Sequence, residues 1–300
     1  MVLDLELLAE QANSLEPLPA SAAKLATLVA GPDPDLQEII GVVEHDPPLT
    51  VALLRRANSA ANSASRTIAT VKDAVMRLGA AGVLQVVAQQ ATRPVLDQEL
   101  PAYGLAAGQL WQHSRATALA TELITKTSRR RLPPESATTA LLHDIGKIVL
   151  ARFLDAEVRE LLDRAYKDLH SYRLAEREVL GVSQAELGGL LAERWQLPQS
   201  IVLGITHYHA PQEYANTLGA EESVLGICHA VQLANFLAKC NEALDSEHRT
   251  DNRIRIERTA SVAAFTTEIL ASMEYLAINP GVFSALMGQL QAATAARADT

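Results

Sequence analysis

The sequence has 300 residues and a formal net charge of -9, with 48% hydrophobic and 20% charged residues. This composition is typical of a folded globular protein and argues against a mainly disordered chain. The excess of acidic residues argues against general nucleic-acid binding, because non-specific affinity for phosphate backbones requires surplus Lys and Arg.

Aromatic residues make up only 4% of the chain, and long β-branched runs are few, so we predict an all-α fold. Acidic residues follow Met1 where a signal peptide would carry basic ones, and we find no apolar run of membrane-spanning length. The two cysteines, Cys228 and Cys240, lack the spacing of a zinc site or a disulfide framework. We therefore expect a cytoplasmic protein with reduced thiols and no membrane span.

The first part of the chain has apolar residues at helical spacing, interrupted by proline and glycine. An N-terminal helix is predicted over residues 3–14, and the prolines that follow it end that helix. Ser21 is expected to cap the next helix, and Asp46 to cap a later one that begins at Pro47. A compact bundle is then predicted to about residue 100, with helices over residues 21–30, 35–44, 46–58, 71–78 and 83–92.

The second part of the chain continues the helical pattern and contains one very polar segment, residues 245–258, which is expected to be an exposed loop. Before this segment, helices are predicted over residues 104–128, 134–148, 154–168, 171–180, 183–195, 198–209 and 221–242. After it, helices are predicted over residues 259–278 and 282–296.

The string His143-Asp144-Ile145-Gly146-Lys147 places an imidazole, a carboxylate and an ammonium on an otherwise apolar helix. A buried carboxylate costs several kcal/mol unless a cation compensates it, so this string requires a partner. Divalent metal ions supply such a partner in hydrolytic centres, with neutral His and ionised Asp as ligands. Further candidate ligands are His113, His207 and His209, although a single helical histidine is more often only hydrogen-bonded.

Several ordered strings resemble the HDOD family, a bacterial signalling branch of the HD metal-dependent phosphohydrolase superfamily. They are HDIGK, the earlier LWQHS, and the N-terminal strings LPxLP, HDPPLT and RRANSA. The resemblance covers about residues 15–240. It implies an N-terminal helical bundle packed on a C-terminal HD-like helical bundle. We expect four parts: an extension at 1–14, an N-terminal subdomain at 15–100, an HD-like subdomain at 101–242, and a loop with C-terminal helices at 243–300.

The resemblance also implies where a metal would bind. Four positions match the ligands of catalytic relatives: His113, His143, Asp144 and His209. Three positions depart from the pattern: Gln184 and Tyr208 replace histidines, and Asn235 replaces an aspartate, although His207 is adjacent to Tyr208. A two-ion centre needs several anionic or imidazole ligands, so we expect no cofactor or, at most, one weakly held divalent ion, Mn, Fe or Zn.

These departures lead us to expect a stand-alone signalling or regulatory protein that binds a signalling protein or a small nucleotide, without catalysis. One alternative is a metal-dependent phosphohydrolase that uses Asp144 and Lys147. Another is a non-catalytic sensor of a nucleotide or cyclic dinucleotide. Possible ligand or partner contacts are His207 and the basic run Arg129, Arg130 and Arg131, for which a solvated helix end is the simpler interpretation.

Overall fold

A computed structural model describes residues 18–31, 33–59, 68–169, 171–246 and 266–295. Within these ranges the regular elements are helices, with one isolated antiparallel pairing between Leu100 and Leu105. The all-α prediction is therefore confirmed. The predicted helix 3–14 and residues 247–258 of the polar segment lie outside the described residues.

The first four helices form the N-terminal part of the structure. They are α1 (Ala20–Ala30), α2 (Leu36–Glu44), α3 (Pro47–Ser59) and α4 (Val71–Leu96). Asp35 caps α2 by accepting a hydrogen bond from the amide of Gln37 at 2.8 Å. Leu25, Ile39 and Leu53 face inward with no solvent exposure, and α4 supplies the opposite side of this core.

Two details of this region differ from the prediction. Helix α1 begins at Ala20, and Ser21 does not cap it but donates to Oδ2 of Asp46 at 2.9 Å. The two helices predicted over 71–78 and 83–92 are both present within α4 and meet at Gly79, where φ is 69°, so the second begins earlier than predicted and runs on to Leu96. Only one residue leaves helical geometry, because the glycine absorbs the whole change of direction.

The remaining helices form the larger part of the structure. They are α5 (Gln109–Thr127), α6 (Ser136–Leu142), α7 (Gly146–Leu150), α8 (Ala156–Leu169), α9 (Tyr172–Leu180), α10 (Gln184–Arg194), α11 (Gln199–His207), α12 (Pro211–Ala215), α13 (Glu222–Ser246), α14 (Thr266–Tyr275) and α15 (Pro280–Ala295). Short 3-10 turns at Pro101–Tyr103 and Ala151–Phe153 precede α5 and follow α7.

Helix α5 begins five residues later than predicted, because Gly104 and Gly108 both have positive φ and a tight turn occupies the segment before them. The helix predicted over 134–148 is also divided. It stops at Leu142 and resumes at Gly146, so His143 and Asp144 lie in the break between α6 and α7. This break places both side chains at the junction of several helices.

Helix α13 runs through the centre of this part and packs against α5, α11 and α14. Its Glu222–Ala243 segment is long and apolar enough to cross a bilayer by length and composition, but 72% of that window is buried inside the bundle. A helix at the centre of a bundle meets the same criterion. Leu237 of α13 joins Leu119, Leu286 and Leu290 in a second core beneath the C-terminal helices.

Candidate functional site

The carboxylate of Asp144 lies at the centre of the site and is only 2% exposed. Its Oδ1 accepts hydrogen bonds from the Tyr208 hydroxyl at 2.9 Å and from Nε2 of Gln184 at 3.1 Å. Its Oδ2 accepts from Nζ of Lys147 at 2.5 Å. Burial alone would raise the pKa of Asp144, but His143 and Lys147 outweigh it and hold the pKa well below its usual range.

Two histidines direct their Nε2 atoms at the same carboxylate. Nδ1 of His143 lies 2.7 Å from the carbonyl oxygen of Ala140, and Nδ1 of His113 lies 2.7 Å from Oε1 of Glu242. Both acceptors lack a proton, so each Nδ1 carries a hydrogen, and when the ring is neutral its Nε2 presents a lone pair. Nε2 of His143 and of His113 lie 3.3 and 3.6 Å from Oδ2 of Asp144, and neither forms a hydrogen bond.

These three side chains form a set suited to one divalent ion. Ligand atoms from His113, His143 and Asp144 all lie within 4.8 Å of one another. Burial lowers the pKa of His143, which keeps its imidazole in the neutral form that a metal requires. The carboxylate of Glu242 behind His113 is the arrangement that orients ligating histidines in metal sites. Lys147 competes for Oδ2, so a cation would have to displace its ammonium group.

The same residues do not fit two ions. Gln184 and Tyr208 both use N–H or O–H groups to bind Oδ1 of Asp144, so they act as donors where a second ion would need acceptors. The Gln184 amide is held in this orientation because a carboxylate accepts but cannot donate. A second cation at Oδ1 would have to break both hydrogen bonds.

His209 lies beside the three-residue set without joining it. Its Nε2 is 3.2 Å from Nε2 of Gln184, and its ring stacks on Tyr208 with centroids 4.0 Å apart. Burial, followed by the nearby charge of Lys239, lowers the pKa of His209 well below its usual value. The His209 lone pair therefore accepts from the Gln184 amide.

One face of α13 completes the site. Asn235, Lys239 and Glu242 recur at helical spacing and so share that face. Glu242 contacts His113, and Lys239 is close enough to Lys147 and Asp144 for their charges to alter its pKa, which burial lowers. Asn235 is 6% exposed and its Oδ1 has no hydrogen-bond partner within the described structure.

Sequence reasoning missed three residues of this neighbourhood. Glu242 and Lys239 lie near or beyond the end of the resemblance, although their spacing from Asn235 on α13 was a usable signal. The third, Glu176, is buried at 3% exposure, and its Oε2 accepts from the amide of Gln184 at 2.8 Å. Burial raises the pKa of Glu176 to about 7. The sequence around Glu176 gave no sign that this charged side chain would point inward.

The predicted partner contacts lie apart from the site. The Arg130 guanidinium donates to Oε1 of Glu222 at 2.6 Å and covers the ring of Tyr275 at 4.0 Å, while its side chain remains exposed. Arg129 and Arg131 are exposed. The ring of His207 packs near that of Tyr214, with centroids 5.0 Å apart.

One comparison with known proteins identifies the family. The family model described as HDOD domain matches residues 15–211. An uncharacterized protein of Treponema pallidum (strain Nichols) is 26% identical over 216 residues, which cover 69% of this chain and only 40% of that protein. The chain therefore spans less than half the length of this relative.

Solved structures show the same fold. A Marinobacter aquaeolei VT8 protein, provisionally named for signal transduction, aligns with a TM-score of 0.65 at 20% identity, covering 96% of this chain and 63% of that one. A Shewanella amazonensis SB2B protein, provisionally named a phosphohydrolase, gives 0.58 at 24% identity, covering 95% and 98%. An HDOD domain protein of unknown function from Geobacter sulfurreducens gives 0.57 at 20% identity, covering 94% and 98%.

Proposed function

Because the chain belongs to the HDOD domain family, we propose that it is a signalling or regulatory protein that acts by binding a protein partner or a small ligand, without catalysis. The proposal is for the 300 residues of this chain alone, because the Treponema pallidum relative is much longer. We place the protein in the cytoplasm, a proposal that its free thiols, Cys228 and Cys240, support.

The hydrogen bonds of Asp144 carry this proposal. Each of its two oxygens already receives at least one donor from the protein itself, from Tyr208 and Gln184 on one side and from Lys147 on the other. A buried carboxylate satisfied in this way stabilises the bundle without a metal. The scaffold of a hydrolase is retained, while the group that would anchor two metal ions serves an internal network.

One observation favours a second candidate, a phosphohydrolase with a single ion. Nε2 of His113 and Nε2 of His143 both face Oδ2 of Asp144, and within the described structure neither nitrogen forms a hydrogen bond. An ion held there would supply Lewis-acid chemistry and lower the pKa of a bound water. Lys147, once displaced from Asp144, would be the positive group available to a phosphate.

A hydrolysis assay separates the two candidates. Untagged protein is incubated with Mn²⁺, Fe²⁺ or Zn²⁺ and with bis(p-nitrophenyl) phosphate, and release of nitrophenolate is followed against a His143→Ala variant. We expect the two proteins to give the same background rate. Turnover by the parent that is abolished in His143→Ala, at unchanged folding by circular dichroism, would overturn the non-catalytic proposal in favour of the single-ion enzyme.

A further inference from the structure

Two arginine side chains lie over the ring of Trp111. Cζ of Arg93 is 5.7 Å from the ring centroid and Cζ of Arg115 is 5.8 Å from it. Arg93 comes from the last turns of α4 and Arg115 from α5, so the indole joins the N-terminal helices to the larger part of the structure. Trp111 is 7% exposed, whereas Arg93 is exposed and Arg115 is half-buried. The guanidinium groups therefore stand at the surface on an aromatic platform.

A third arginine adds to this positive charge. The pKa of Arg115 is lowered first by burial, then by the charge of Arg93 and then by that of Arg56 in α3, so Arg56 lies near Arg115. Arg56 has one carboxylate partner, Oε1 of Glu122 at 3.5 Å. In the part of the chain that the structure describes, Arg93 and Arg115 form no ion pair with an acidic side chain. Among the described residues, these three guanidinium groups therefore have one carboxylate within ion-pair distance, that of Glu122.

This imbalance is unusual for the chain as a whole, which has 35 acidic and 26 basic residues. Like charges that converge without a counter-charge repel each other, and a bound anion removes that cost. Arginine forks match the oxygen geometry of phosphate, and two uncompensated charges suit an anion with two or more negative charges better than a single carboxylate. We infer that Arg93 and Arg115, on the ring of Trp111, form a binding site for the diphosphate or phosphate-monoester group of a small molecule, with Arg56 adding to the positive charge beside it.

The site is separate from the Asp144 site but connected to it through α5. Trp111 and Arg115 are four residues apart and share one face of the helix, while His113, two residues from each, lies about 200° around the axis. His113 faces Asp144 from that other side. A ligand bound to the arginines would thus contact α3, α4 and α5, and α5 is the helix that carries His113.

Calorimetric titration tests this inference with four probes: inorganic pyrophosphate, inorganic phosphate, ADP and adenosine. We expect saturable binding of pyrophosphate or ADP at one site per chain, weakened by added salt, and no binding of adenosine. Similar affinities for pyrophosphate and ADP assign the diphosphate itself as the ligand, and tighter binding of ADP assigns a nucleotide. Both results support the site. If no phosphate-bearing probe binds, the inference is wrong.

Variants then locate the binding. Arg93→Gln and Arg115→Gln are each expected to weaken binding about tenfold or more, since each removes charge-assisted hydrogen bonds. Arg77→Gln makes the same charge change on the exposed surface of α4, near its other end, and should leave the affinity unchanged. His143→Ala should also leave it unchanged, so failure here is distinguishable from failure of the proposed function. An equal loss in Arg77→Gln, or a loss confined to His143→Ala, contradicts the assignment.

Discussion

Tyr208 donates its hydroxyl hydrogen to Oδ1 of Asp144 at 2.9 Å, from a position where the resemblance to catalytic relatives predicts a histidine. The Tyr208 side chain is completely buried, and burial with the nearby Asp144 charge raises its pKa well above the usual value. The phenol therefore stays protonated and remains a donor. The Tyr208 hydroxyl is in this way part of an internal hydrogen-bond network around Asp144.

Tyr208→Phe removes this donor with little change of shape. We expect the free energy of unfolding to fall by about 1–3 kcal/mol, because a buried carboxylate oxygen loses one of its hydrogen bonds. Tyr214→Phe is the matched control, since within the described residues the Tyr214 hydroxyl accepts one hydrogen bond, from the amide of Glu221 at 3.1 Å. The control should cost less, and urea denaturation measures both. A Tyr208→Phe variant as stable as the parent would show that the phenol does not stabilise Asp144.

Glu176→Gln tests the buried acid. Burial raises the pKa of Glu176 from its ordinary value of 4.5 to about 7 in the folded protein, so the folded state binds the proton more tightly than the unfolded state. The stability that Glu176 contributes is therefore present below pH 4.5 and is lost as the pH rises through 7. When the pH rises from 5 to 8, the free energy of unfolding of the parent should therefore fall by about 2–3 kcal/mol more than that of Glu176→Gln.

Urea denaturation at several pH values measures this difference, and Glu178→Gln, an exposed change on the same helix α9, is the control. The control should follow the parent across the whole range. Parallel stability curves for the parent and Glu176→Gln would mean that Glu176 titrates normally in the folded protein.

Gly146→Ala tests the packing that positions the site. A Cβ atom there would lie 1.8 Å from the carbonyl oxygen of Gln184 and 2.5 Å from the amide nitrogen of Gly188, both of which belong to the backbone of α10. Overpacking of this kind costs about 1–3 kcal/mol or more, so we expect a clear fall in the thermal midpoint. Gly41→Ala in α2, where no atom lies within 4 Å, should instead raise stability by up to about 1 kcal/mol. Equal midpoints for the two variants would refute the close approach of α7 to α10.

Introducing the ligands that the resemblance predicts should raise the capacity for metal. The triple variant Gln184→His, Tyr208→His and Asn235→Asp replaces two donors at or near Asp144 and adds a carboxylate on the same face of α13. We expect it to hold at least one more divalent ion per chain than the parent, measured by elemental analysis after Mn²⁺ loading. Asn235→Asp alone should be destabilised without metal, because it buries an unpaired charge. A folded triple variant with no added ion would show that these three positions do not limit metal binding.

Much of the fold followed from the sequence, because apolar spacing and proline positions define most of the helices. The errors occurred where one residue changes the backbone. Gly79 alone separates the two helices of α4, which were predicted to lie further apart, and the glycines at 104 and 108 delay the start of α5. The division between α6 and α7 was also missed, since the HDIGK string continues the helical pattern across the break.

The site could be predicted only in part. The sequence motif identified His113, His143 and Asp144, and the structure brings their ligand atoms together. The partner of each group could not be predicted, because it depends on contacts between distant helices. Glu242 is 129 residues from His113, and Gln184 is 40 residues from Asp144. Such contacts between distant helices determine that Nε2 of Gln184 donates to Asp144 and lies 3.2 Å from Nε2 of His209.

The metal content of the untagged protein tests the central claim most directly, namely that internal donors occupy the Asp144 carboxylate and leave no room for a pair of ions. Protein loaded separately with Mn²⁺, Fe²⁺ and Zn²⁺ and then passed through a desalting column is analysed for bound metal per chain. We predict at most one ion, and its loss in His143→Ala. Two ions per chain, both absent from His143→Ala, would contradict the account.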